Sequence, residues 1–185
     1  MIARTMKPKC VLLDANIVIR AHEISVWEKL IEKVQIIIPS SVVHEAHSLF
    51  SDEQGRLPEA IDLKKLVTEQ KIEQLSASVE EMASFLSQFD SLFQKGLHEG
   101  ETEALALIYS NKTPDAFFCT GDAIANFALT MIAKSEKGIS FESLLKTIGL
   151  QKSLSWECTE EFFQRKLEEG KIRLITRDGL VNKNY

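Results

Sequence analysis

Glycine and proline are scarce: eight and four in 185 residues, too few for a loop-rich or disordered chain. The three cysteines, Cys10, Cys119 and Cys158, are odd in number, widely spaced and without a CxxC pair. They are read as the reduced thiols of a cytoplasmic protein. Long apolar runs are missing too. The stretch 11–19 is interrupted by Asp14 and Asn16, and no cleavage site follows the basic N-terminus. Neither a signal peptide nor a transmembrane span is therefore expected. No internal repeat or low-complexity segment occurs. An excess of basic charge is also absent: 22 Lys and Arg stand against 27 Asp and Glu, for a net charge of −5. Nucleic-acid binders are more often basic, but acids gathered around a bound cation contribute negative charge that the cation offsets. What remains, 44% hydrophobic and 26% charged, is ordinary for one globular domain able to bury a core.

Periodicity gives an alternating pattern. The apolar residues 10–13 read as a buried strand ending at Asp14. Ile24, Trp27, Leu30, Ile31 and Val34 fall at helical spacing over 24–34. "QIIIP" reads as a strand over 35–38 stopped by Pro39, and a helix follows with Ser40 or Ser41 as N-cap. Residues 51–58 form a polar loop, 59–70 a helix and 71–76 a short strand. A helical stripe over 78–93 carries Val79, Met82, Ala83, Leu86, Phe89 and Phe93. Further helices are expected from 101 to about 110 and over 121–134, with an aromatic strand at 115–120 between them. A minimal strand at 138–140 leads to a helix closed by Gly149, a last amphipathic helix over 154–169 and a mixed tail. Strand–helix alternation of this kind implies a parallel sheet of about five strands with helices on both sides, an α/β fold in three layers.

The acids fall at informative places. Asp14 and Asp122 follow expected strands, where open parallel sheets build their sites. Glu45 lies in the first turns of the helix after "IIIP". "GETEALALIYS", 100–110, carries Glu101 and Glu103, which point roughly 200° apart on a helix, so one face cannot hold both. Carboxylates that converge repel one another, and a hard divalent cation with oxygen ligands is the usual remedy. Asn16, Thr120 and Asn126 add neutral oxygens, and Asn126 shares a helix face with Asp122.

"VLLDANIVI", "IPSSVVHEA", "GETEALAL" and "FFCTGDAIANF", in this order, resemble the motifs of the PIN-domain ribonucleases, over roughly residues 9–150. The match is to the prokaryotic branch whose third motif reads G-E-x-E-A. The resemblance implies a PIN-like nuclease domain over 1–150, with residues 151–185 packed on it as a C-terminal helix and tail. It implies an endoribonuclease that hydrolyses RNA with Mg²⁺ or Mn²⁺, and leaves open a toxin role with an antitoxin protein as partner. Asp14, Glu45, Glu103 and Asp122 would be the metal ligands, with Asp14 and Asp122 direct. Asn16, Thr120, Asn126 and Glu101 would support them, Glu101 either as an outward residue or as a partner acting behind the ligands. The stretch 51–98 is long for the small toxin members. In the fourth motif Gly121, Ala123 and Ile124 surround Asp122, where other members often carry a second acid or a basic residue.

Structural readings compete. Glu101 and Glu103 suit a helix N-terminus, and Asp122 suits an N-cap. Asp14 is harder to dismiss, because an unpaired acid after an apolar strand is costly to bury. His44 and His47 flank Glu45, but their spacing of three is not that of HExxH, which speaks against zinc. Cys119 reads as a core thiol. The phosphatase pattern DxDx[TV] is absent, since Asn16 stands where its second Asp would be. A non-catalytic PIN-like module that binds RNA or protein is the alternative. The apolar supply at 79–93 and 154–163 suggests a homodimer.

Overall fold

The computed structural model describes residues 10–45, 49–50 and 59–181. The expected loop at 51–58 and His47 lie outside the described residues. The elements run β1 (Cys10–Leu13), α1 (Ala15–Glu23), α2 (Trp27–Lys33), β2 (Gln35–Pro39), α3 (Ser40–Glu45), β3 (Leu49–Phe50), β4 (Glu59–Ala60), α4 (Leu63–Thr68) and β5 (Glu73–Leu75). They continue with α5 (Val79–Leu86), α6 (Ser91–Gln94), α7 (Glu99–Tyr109), β6 (Ala116–Cys119), α8 (Ala123–Met131), α9 (Phe141–Thr147) and α10 (Glu160–Thr176).

Four strands form one parallel sheet in the order β5-β2-β1-β6, and β3 and β4 pair separately as an antiparallel ribbon. Side chains alternate across a strand, so the central strands feed two cores. Val11, Leu13, Ile36 and Ile38 pack with α1, α2 and α9 on one face. Leu12, Ile37 and Phe118 pack with Phe85, Phe89, α7 and α8 on the other. The chain is thus an α/β protein whose parallel sheet is flanked by helices.

Several expectations change. Among the described residues the sheet has four strands rather than about five, because "GIS" contributes only a single bridge from Gly138 to Phe118 and the bond from Ile139 N–H to Phe118 O. A Cβ at Gly138 would stand 2.6 Å from the Phe163 ring. The expected helix over 24–34 forms as α2, and a helix that the pattern did not announce precedes it: α1 begins directly after Asp14, and Ser25, at a φ of 55°, separates the two. The β-branched run "NIVI" disguised α1, although Ile17, Val18 and Ala21 mark its buried face. The stripe at 78–93 likewise breaks into α5 and α6, and its Val79 is exposed while Phe85, Phe89 and Phe93 fill the second core. Of the two apolar stretches, Phe162 and Phe163 are also buried within the chain, while Val79, Leu92 and Trp156 stay exposed. At 59–70 the chain forms β4 and then α4, which starts late because Asp62 caps it through Lys65 N–H. The last helix runs to Thr176 and ends at Arg177 in the left-handed region. No helix among the described residues is long and apolar enough to cross a membrane.

The last helix meets α8 at Gly170, where a Cβ would stand 2.9 Å from Thr130 Cβ and 3.2 Å from Phe127 Cα. Gly170→Ala gains up to about 1 kcal/mol of helix propensity, but overpacking costs about 1–3 kcal/mol. The urea midpoint is expected to fall with an unchanged slope.

Candidate active site

The backbone brings two acids together. Asp14 follows β1, Asp122 follows β6, and Asp14 N–H donates to Cys119 O at 3.3 Å, extending the ladder between those strands. From β1 the chain adds β2 and then β5 on one side, and returns to the opposite flank of β1 as β6. The winding direction therefore reverses between β1 and β6, which opens a crevice at their carboxyl ends.

Asp14 is 3% exposed. Its carboxylate accepts a bond from the Thr120 hydroxyl at 3.0 Å. The same hydroxyl accepts from Asp122 N–H at 3.0 Å, so Thr120 ties the two acidic segments into one unit. Burial pushes the Asp14 pKa from 3.8 up to about 6, and the charge of Asp122 adds to the rise. The Thr120 bond and the amides of Asn16 and Ala15 oppose it, although neither amide closes a regular helix cap. Asp122 is half-buried and caps α8, with Oδ1 accepting from Ala125 N–H at 2.9 Å. Capping occupies one oxygen only; Oδ2 accepts no bond among the described residues. Asn126, one turn on, donates from Nδ2 to Asp122 O at 2.7 Å. Its Oδ1 is buried and has no partner among the described residues. Asn16 is exposed in the first turn of α1.

The Thr120 bridge gives a direct test. Thr120→Val keeps the shape but removes the donor that holds the Asp14 pKa down, and it orphans Asp122 N–H. The loss is expected to be about 1–3 kcal/mol. It should be larger at pH 7, where Asp14 is ionised, than at pH 4, where its proton is retained. Urea unfolding at the two pH values measures the difference.

Glu103 is engaged by donors from other parts of the chain. It is buried, and its Oε2 accepts from Ser41 N–H at 2.8 Å and Ser41 Oγ at 2.6 Å, while Oε1 accepts from Ala77 N–H at 3.1 Å. Ser41 follows β2 and Ala77 follows β5, so this carboxylate lies toward the side of the sheet away from β6. Neither serine acts as the local N-cap expected of Ser40 or Ser41: both lie within α3, and it is Glu103, 62 residues away, that receives Ser41 N–H. Such a distant partner leaves no local sequence signal.

Glu101 is not outward. It is 2% exposed and accepts from His98 N–H at 3.1 Å. The two-residue spacing failed to separate an inner from an outer acid because every residue of α7 from Gly100 to Ile108 is buried, so the helix has little solvent face there. Glu45 ends α3, and its side chain lies outside the described residues.

Of the expected acids, Asp14 and Asp122 share the crevice and Glu103 is held by protein donors. No group of three or more His, Cys, Asp or Glu that could hold a metal occurs among the described residues. The fit to a cation therefore rests on two carboxylates and neutral oxygens. That is a hard donor set, and Mg²⁺ commonly uses one or two carboxylates together with waters and substrate phosphates. A buried acid with a raised pKa beside a second carboxylate suits such an ion. The cysteines take no part: all three are free and buried, and burial raises each thiol pKa, that of Cys10 to about 11. No family model matches the chain, and no curated protein and no solved structure matches it.

Proposed function

We propose that the chain is a metal-dependent ribonuclease of PIN-domain type, which hydrolyses RNA phosphodiester bonds with Mg²⁺ or Mn²⁺. The observation that carries this reading is the pairing of buried Asp14 with Asp122, through Thr120, at the crevice where the strand order reverses. Asp14 and Asp122 would hold the cation, which supplies a bound water of lowered pKa and offsets charge on the leaving oxygen. Thr120 fixes the Asp14 carboxylate and, through Asp122 N–H, the start of α8. Asn126 anchors that turn from below, and exposed Asn16 stands at the mouth for substrate. No histidine or serine nucleophile is required.

A structured RNA incubated with the protein and Mn²⁺ should be cut, and EDTA should abolish the cutting. Intact RNA under both conditions overturns the reading. A second reading, a non-catalytic module that binds RNA, draws on the satisfied Glu103 and the lack of a three-acid group among the described residues. It predicts RNA retention that EDTA does not change, with no cleavage.

A further inference from the structure

We infer that the cleft between α1 and the short helical turn Trp156–Cys158 is a nucleobase pocket, shaped by its polar groups for the guanine next to the scissile phosphate; this rests on the ribonuclease reading. The cleft has a volume of about 290 Å³ and is lined by Asn16, Arg20, Glu23, Gly121, Ser155 and Glu157, among others. Asn16 is two residues after Asp14 and Gly121 directly precedes Asp122, so the cleft opens beside the site acids. A Cβ on Gly121 would lie 3.5 Å from Glu157 O, which sets Glu157 against the residue preceding Asp122. The volume is near the lower end for small-molecule pockets, roughly 300 Å³, and suits one base better than a dinucleotide.

The polar groups choose the class of ligand. Arg20 donates from Nη1 to Glu23 at 3.0 Å, and its Nη2 makes no hydrogen bond among the described residues. Glu157 is exposed and has no hydrogen bond or ion pair among the described residues. One guanidinium against two carboxylates leaves a net negative cleft, which disfavours a bare phosphate. A neutral base edge with both acceptors and donors meets the same groups without that repulsion. Guanine offers O6 and N7 to a guanidinium, and its N–H donors suit a carboxylate. Sequence alone gave no hint, since Glu157 lies far along the chain from Arg20.

The test needs neither metal nor cleavage. Trp156 is 44% exposed and adjoins Glu157, whereas the other tryptophan, Trp27, is buried. The full chain is titrated, metal-free, with the 5′-monophosphates of guanosine, adenosine, cytidine and uridine and with inorganic phosphate, following tryptophan fluorescence. The guanosine nucleotide should saturate at a concentration about tenfold lower than the others, the scale of one matched base edge, and phosphate alone should do nothing. Glu157→Gln and Arg20→Gln should erase the preference. Equal binding of the four nucleotides, saturation by phosphate, or a preference unchanged in Glu157→Gln overturns the pocket. Cleavage of random-sequence RNA with Mn²⁺ should then show guanine enriched beside the cut; cutting without that enrichment also overturns it. Failure to cut at all overturns the ribonuclease reading, while the nucleotide titration still decides the pocket.

Discussion

Asp14→Asn should abolish metal-dependent RNA cleavage and, at neutral pH, make the metal-free protein more stable. The activity loss should exceed the roughly 10–100-fold typical of removing a group that merely supports a metal ligand. The stability change follows from linkage. Below pH 3.8 the Asp14 carboxyl is protonated whether the chain is folded or not. Between 3.8 and about 6 the unfolded chain gives up the proton first, so native stability falls as pH rises. Above pH 6 the loss is complete, at about 3 kcal/mol for a shift of that size. Asparagine carries no such penalty, although it weakens the bonds made to the carboxylate by about 1 kcal/mol. A net gain of about 2 kcal/mol at pH 7 is expected, a rise in Tm on the order of 4–8 °C, shrinking to nothing or reversing at pH 4. Mn²⁺ should stabilise the native chain by mass action and leave the variant nearly unchanged. Thermal melts at pH 4 and 7, with and without Mn²⁺, check all of this. Equal stability at both pH values would remove the electrostatic basis of the site, and full activity in the variant would remove the site itself.

The sequence made legible what local pattern determines. β1, β2 and β6 lie where short apolar runs met Asp14, Pro39 and Thr120, and even β5 showed through "KIEQLS". Asp14 stood out because a lone carboxyl after a buried strand must be balanced by something. Strand order did not show, because pairing is a long-range choice, and it is the order that sets Asp14 beside Asp122. The acids of α7 were the hardest to place. A two-residue offset separates inside from outside only when a helix has a solvent face, and α7 has almost none over 100–108. Donors from two other elements, at Ser41 and Ala77, then decided where Glu103 points.

Glu103→Gln should cost the protein stability before it costs chemistry. The native carboxylate takes three donors on two oxygens, from Ser41 N–H, Ser41 Oγ and Ala77 N–H, and no shift in water could replace them because the group is buried. The amide of glutamine must turn its NH₂ toward one set of these donors, leaving a buried N–H without an acceptor. Such an orphan costs about 1–3 kcal/mol, so a drop in Tm on the order of 2–12 °C is expected. Ser41→Ala removes only the hydroxyl donor and should cost about 1 kcal/mol. The double variant should lose less than the sum of the two, because both act on one contact. The damage should centre on α3, whose N-terminus the carboxylate anchors: amides of Val42 and Val43 should exchange faster than those of α8. Well below its melting temperature the Glu103→Gln protein should still cut RNA with Mn²⁺, since its carboxylate is engaged by the fold. A variant with native melting behaviour and no activity would instead return Glu103 to the ligand role that the motif resemblance implies.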